Sequence, residues 1–151
     1  MLWIETGESR RLESVDLVTS DSQVITWDGP DLTMSPAFQK AIVEDLVKTV
    51  PVDRQSGYRA SLERRPVPKR IPGTRRVLAD RVGRGWLELA PIPGRSDRVT
   101  WIVFGTDGTP EARLLLPSNM SLQSVLSDAV LLVERDEFDV EQVRLYRLSG
   151  L

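Results

Sequence analysis

Five acids crowd one short stretch of the chain: Glu134, Asp136, Glu137, Asp139 and Glu141. Carboxylate oxygens converging at about 2.3–2.6 Å would hold Ca²⁺, and a pair of them across a cleft at about 5–10 Å would carry acid/base hydrolysis. The stretch lacks the D-x-[DN]-x-[DN]-G order of a calcium loop, and on a strand neighbouring side chains point to opposite faces. A solvated hairpin loop is the preferred reading. Other chemistries are closed by residue type. The 151 residues contain no Cys and no His, which removes thiolate nucleophiles, imidazole bases, disulfides and Cys- or His-ligated zinc. Gly83-Arg-Gly85 lacks the third glycine of a dinucleotide fingerprint, and G-K-[ST], G-x-S-x-G and S-x-x-K are missing. From sequence, then, no catalytic, cofactor-binding or metal-ligating residue is assigned.

The second concentration of charge is basic. Between 53 and 84, Arg54, Arg59, Arg64, Arg65, Lys69, Arg70, Arg75, Arg76, Arg81 and Arg84 face only Asp53, Glu63 and Asp80. The local charge is +7, which leaves −9 on the rest of a chain whose net charge is −2. Such a segment could meet the phosphates of nucleic acid or of an anionic membrane surface. Tyr58 is its only aromatic platform, and the acidic remainder repels a polyanion while offering the arginines internal partners. Nucleic acid is therefore disfavoured as a partner. Trp3, Trp27, Trp86 and Trp101 could line a ligand surface, but packing between sheet layers is the preferred role. Asn119-Met-Ser121 matches a glycosylation sequon, which matters only in a eukaryotic secretory setting.

Most of the chain reads as short strands. Segments 12–18 and 23–27 come first, and the second is closed by Asp28-Gly29-Pro30. Ser35 can cap a helix, Pro36 suits its first position, and Phe38, Ile42 and Leu46 recur every four residues, which predicts a helix to about Thr49, stopped by Pro51. Its apolar face is expected to pack on the sheet. Pro66, Pro68 and Pro72 then favour an extended, Arg-rich connector. Strands follow at 75–79, 85–90, 98–104, 111–116, 122–126, 129–135 and 140–148. Val99, Trp101 and Val103 share one face, as do Val143 and Leu145. Gly/Asp/Pro turns between strands at this spacing indicate an antiparallel meander. The N-terminus reaches Glu5 before an apolar stretch of leader length forms, and no stretch approaches the roughly 18 apolar residues of a membrane span.

Two turns are informative. In Asp80-Arg-Val-Gly83-Arg-Gly-Trp86 the Asp can accept backbone N–H bonds within its own turn, Gly83 can take positive φ, and Trp86 opens a strand. In Phe104-Gly-Thr-Asp107-Gly108 the Asp-Gly pair favours a tight reversal. With Trp101-Ile-Val-Phe104, Leu114-Leu-Leu-Pro117, Leu126-Ser-Asp128-Ala-Val130, and Asp136-Glu137 followed by Glu141, Val143, Arg144, Tyr146 and Leu148, these turns resemble the C-terminal part of bacterial six-bladed β-propeller proteins related to NHL-type propellers. The match covers most of 75–151. It departs at Gly105, where the family pattern usually has Asp.

The resemblance implies a mainly β fold: antiparallel four-stranded blades of a partial six-bladed propeller with one inserted α-helix. Residues 1–30 would end an earlier blade, 31–74 would be a helical and Pro/Arg-rich insertion, and 75–151 the last blades. At about 40–45 residues per blade, six blades need roughly 250 residues, so this chain would supply two to three. It is expected to be either a fragment of a longer protein or a short version that covers its open sheet edges by self-association. Full-length relatives often look exported, and no compartment is assigned. The implied function is a non-enzymatic binding or protein-interaction scaffold for a protein or small-molecule ligand, with no cofactor. A carboxylate-based, calcium-dependent propeller hydrolase or lyase is the alternative.

Overall fold

A computed structural model describes residues 1–5, 10–29, 32–91 and 98–149. Three antiparallel sheets follow one another along the chain. The first contains β1 (Leu2–Glu5), β2 (Arg11–Val15) and β3 (Ser22–Thr26). A helical insertion follows, with α1 (Pro36–Lys48), a single 3-10 turn at Val52–Arg54 and α2 (Gln55–Glu63). The second sheet contains β4 (Thr74–Ala79), β5 (Gly85–Leu89), β6 (Arg98–Phe104) and β7 (Pro110–Pro117). The third contains β8 (Met120–Val125), β9 (Ala129–Arg135) and β10 (Glu141–Arg147). In every sheet the strands are paired in chain order, as a meander.

Side-chain alternation turns this order into a stack. Leu87, Ile102 and Phe104 leave one face of the second sheet and pack on Trp3, Leu12 and Ile25 of the first. Trp86, Trp101, Val103 and Leu116 leave the other face and pack on Leu122, Val125, Val130 and Leu132 of the third. The second sheet is thus covered on both sides, so β5 and β6 are apolar on both faces, the pattern of a strand with no solvent face. Trp3 lies flat on Gly85: a Cβ there would stand 2.6 Å from the indole. Its Nε1 donates to the carbonyl of Gly83 at 3.1 Å.

The β2–β3 turn stands beside the β6–β7 turn, where Gln23 Nε2 donates to the carbonyl of Asp107 at 2.7 Å. β1 and β3 therefore run in the direction shared by β5 and β7, and β2 in that shared by β4 and β6, with β1 passing beside β4. Trp3-Ile4-Glu5 on β1 is matched in residue type by Trp86-Leu87-Glu88 on β5. Ser14 pairs opposite Trp3 as Val103 pairs opposite Trp86. At the other end of the chain only Ser118 and Asn119 separate β7 from β8. β8 starts where β7 ends and runs back in the direction shared by β4 and β6, approaching both β4 and β7.

One turn design recurs. Asp80 N–H donates to the carbonyl of Arg84 and Gly83 N–H to that of Asp80; Asp136 with Val140, and Asp139 with Asp136, repeat the pattern. In both turns the first Asp accepts two further backbone N–H groups on Oδ1: Val82 and Arg84 for Asp80, Phe138 and Val140 for Asp136. Gly83 and Asp139 hold the positive φ, at 91° and 61°. The β6–β7 turn has the same backbone bonds, from Gly105 to Thr109 and from Gly108 to Gly105. There a Cβ at 105 would collide with the carboxylate of Glu111, and Asp107 closes the turn instead, accepting from Thr109 N at 2.9 Å and Oγ1 at 2.7 Å. Asp16 accepts from Val18 and Thr19 in a turn one residue longer. These backbone bonds hold the Asp16 carboxyl below its ordinary range, and the Thr109 hydroxyl and N–H do so for Asp107.

Three expectations need correction. The chain has two inserted α-helices, not one. Residues 55–63 precede the first of the connector's prolines, and Tyr58 and Leu62, four apart, cover Val43 and Val47 of α1. Because α2 takes that face, α1 does not bury Phe38, Ile42 and Leu46 against the sheet: Leu46 is exposed, and Ile42 and Leu46 border an apolar groove that reaches Ile71 and Ala90. The chain also forms β1, a strand absent from the sequence-based list. Ser35 does cap α1, accepting from Phe38 N at 3.1 Å. The Thr33–Arg70 bridge closes the base of the insertion. Pro30, expected to end a strand, lies outside the described residues.

Replacing Gly85 with Ala pushes a methyl into the Trp3 indole and is expected to cost about 1–3 kcal/mol in urea unfolding. In a Trp3→Ala background the same change should cost less than half as much, a coupling that a double-mutant cycle reads directly.

Candidate functional site

Asp80 is the most enclosed acid, its side chain without solvent contact. Besides the turn N–H groups it accepts from Arg84 Nε at 2.6 Å and from Trp86 Nε1 at 3.2 Å. Burial pushes its carboxyl upward, but the bonds from Arg84, Trp86 and the Arg84 backbone outweigh that and hold it below the ordinary range. All its acceptor capacity is used, so it is a structural acid. Sequence reading anticipated the turn bonds but not the indole, which ties the turn to the strand it begins.

The group with capacity left for a ligand is centred on Glu88. Strand β5 carries this one charge among Gly85, Trp86, Leu87 and Leu89, and alternation buries it on the face toward the third sheet. A register shift in β4 between Thr74 and Arg76 breaks the alternation there, so two adjacent arginines reach the same carboxylate. Arg76 Nε donates to Glu88 Oε2 at 3.1 Å, and Arg75 Nη1 lies 3.5 Å from Oε1. Arg76 lies 5.1 Å over the Trp101 ring, a cation–π contact, and donates through Nη2 to the carbonyl of Leu122 on β8. It therefore fastens the second sheet to the third.

Beside this triad opens a cavity of about 480 Å³, whose walls include Arg75, Arg76, Glu88, Ser118, Asn119, Ser121 and Arg135. A second cavity, of about 260 Å³, shares Arg75 and Glu88 and is lined on its far side by Trp27, Leu32 and Leu115. The larger space offers guanidinium N–H groups and serine hydroxyls around one carboxylate that is already doubly engaged. Those are groups for holding an oxygen-rich acceptor.

The acids singled out from sequence are distributed otherwise. Asp136 caps its own turn, Asp139 and Glu141 pair with Arg135 at 3.3 and 2.7 Å, and Glu134 pairs with Arg144 at 2.9 Å. The hydrogen bond to Glu141, with Asp139 nearby, raises Arg135 above its ordinary value. Among the described residues no three acids, His or Cys converge as a metal site would require. The basic segment divides: Arg59 binds Glu44 through two bonds of 2.5 and 2.9 Å, lowering the Glu44 pKa, while Arg75, Arg76 and Arg84 serve the pairs above. Arg64, Arg65, Lys69 and Arg70 are exposed. Trp3, Trp86 and Trp101 pack between sheets, and Trp27 meets Phe104 with ring centroids 6.5 Å apart. Asn119 of the sequon donates to the carbonyl of Arg135. Glu88 was missed; its signal was a lone charge inside a strand otherwise suited to full burial.

Comparison with protein-family models gives no match, and searches of curated proteins and of solved structures give none either. No helix among the described residues is long and apolar enough to cross a membrane.

Asp80→Ala leaves the buried Arg84 charge unpaired and is expected to cost about 3–5 kcal/mol in urea unfolding at pH 7. Because the folded carboxyl titrates below its unfolded value, Asp80 contributes stability fully above about pH 4 and loses it as pH falls further. The difference between wild type and Asp80→Asn should shrink over that acid range. Glu88→Ala, which strands Arg76 between sheets, is expected to cost about 3 kcal/mol. Arg75→Ala, on a side chain 67% exposed, should cost less than about 1 kcal/mol in the same assay.

Proposed function

We propose that the chain is a non-enzymatic binding or protein-interaction scaffold of β-propeller type, its three sheets being successive blades of a six-bladed ring. The observation that carries this reading is the second sheet: four strands in meander order, covered on both faces by sheets of the same order. Repeated meander sheets stacked face to face are the unit of a propeller. The carboxylates support a scaffold over a hydrolase, since Asp16, Asp80, Asp107 and Asp136 close turns and Glu44, Glu88, Glu134 and Glu141 hold arginines. The cleft at Glu88 is the binding site, and its donors select a ligand carrying carboxylate or phosphate oxygens.

The test titrates inorganic phosphate and, separately, Ca²⁺ against the chain, following melting temperature and backbone amide NMR shifts. Phosphate is expected to raise the melting temperature and move the amides of Ser118, Asn119 and Ser121, and Arg75→Ala to weaken binding at least fivefold. A calcium-dependent rise in melting temperature without a phosphate effect would overturn the proposal and favour a carboxylate-based hydrolase or lyase.

A further inference from the structure

Two cavities meet at the Arg75–Glu88 pair, and they differ in chemistry. The walls of the larger, of about 480 Å³, include guanidinium groups, serines and Asn119. Those of the smaller, of about 260 Å³, include the apolar side chains of Trp27, Leu32, Leu89 and Leu115 together with Arg10 and Arg98. Arg75 is the one cation that lines both.

The smaller cavity is assembled from three parts of the chain. Trp27 follows β3, Leu32 lies at the base of the helical insertion, and Leu89 and Leu115 belong to the second sheet. Leu89 packs with the cluster that faces the first sheet, and Leu115 pairs opposite Thr100, which alternation places on the same face as Ile102. Backbone bonds fix this arrangement: Ile71 N–H donates to the carbonyl of Leu32 at 3.2 Å, and Ala90 N–H to that of Gly73 at 3.0 Å. Gly73 leaves the space that the buried Leu32 takes, since a Cβ there would stand 3.2 Å from Leu32 Cδ1. The cavity is thus framed before any ligand arrives. Apolar cavities of about 150 Å³ take up benzene, so this one has room for a single aromatic ring and its substituent.

Arg75 is the half of the Glu88 cluster that can be drawn away. Arg76 stands 3.1 Å from Glu88 and is also held by the Trp101 ring and the Leu122 carbonyl. Arg75 stands 3.5 Å from the same carboxylate on a side chain 67% exposed. When Arg75 turns to an incoming acid, Glu88 keeps Arg76, so no buried charge is stranded. An acid held by Arg75 places the group it carries beside the smaller cavity.

We infer that the ligand is an aryl acid, its acidic oxygens on Arg75 and a single aromatic ring against Trp27, Leu32 and Leu115. This rests on the anion binding proposed above at Glu88 and names the body that the anion carries. It also gives the base of the helical insertion a share in the site, through Leu32.

The test compares phenyl phosphate with inorganic phosphate, using amide and indole NMR shifts to measure affinity and position. Phenyl phosphate is expected to bind at least tenfold more tightly, because its ring leaves water. It should move the amides of Leu32, Leu89 and Leu115 and the indole of Trp27. Arg75→Ala should weaken both probes. Leu115→Gln, at a side chain 48% exposed, should leave the far-UV circular dichroism spectrum and phosphate binding unchanged while cutting the advantage of phenyl phosphate at least threefold. Equal affinity for the two probes, with shifts confined to Ser118, Asn119 and Ser121, would overturn the inference and leave the anion site standing. Failure of both probes to bind would overturn the two together. Tighter binding of phenyl phosphate with shifts at Ile42 and Leu46 would place the ring in the groove beside α1 and overturn the inference as well.

Discussion

The structure depends on the double burial of β5 and β6. Trp86, Trp101 and Val103 go one way and Leu87, Ile102 and Phe104 the other, and every one of them is buried. A buried indole removes 150–250 Å² from water; at about 25 cal/mol per Å² that is roughly 4–6 kcal/mol of gross transfer free energy for each Trp. Strands so apolar on both faces cannot form a two-layer structure with a wet side. They require a sheet in front and a sheet behind, and the chain supplies one on each side. The helical insertion is peripheral to this requirement: it leaves after the first sheet and is drawn back to its start by the Thr33–Arg70 bridge before β4 begins.

Polar groups divide the remaining work between register and fastening. Aspartates at the hairpins convert unpaired turn N–H groups into charge-assisted bonds, which sets where each strand reverses and so which residues face inward. Asp80 does most, because its second oxygen reaches Arg84 and the Trp86 indole and locks the turn to the core. The β6–β7 turn keeps the same backbone bonds with Gly105 in the first position, and its acid is Asp107, two positions on. Between sheets, fastening falls to Arg76, which touches a carboxylate, an aromatic face and a carbonyl of the next sheet.

Much of this was legible in the sequence. Strands from 75 to 148 could be read because turn residues punctuate them and because Val99, Trp101 and Val103 alternate cleanly. The helix at α1 could be read from Ser35, Pro36 and the four-residue recurrence. Residues 55–63 are dominated by charge and small residues, and the helical pair Tyr58 and Leu62 gains meaning only once Val43 and Val47 are found beneath it. β1 hid because four residues carry little periodicity alone; its register comes from β2. The Glu88 cluster hid for a different reason. It forms through a register shift in β4 that brings Arg75 and Arg76 to one carboxylate, and no spacing along the chain encodes that shift.

The most direct test of the stack is a set of nuclear Overhauser contacts in methyl- and indole-labelled protein. Double coverage of the second sheet requires cross-peaks from Leu87 and Ile102 methyls to those of Leu12 and Ile25, and from the Trp86 and Trp101 rings to the methyls of Leu122 and Leu132. Both sets should appear in the same sample. Loss of either set, with β5 or β6 side chains exchanging against solvent, would contradict the account.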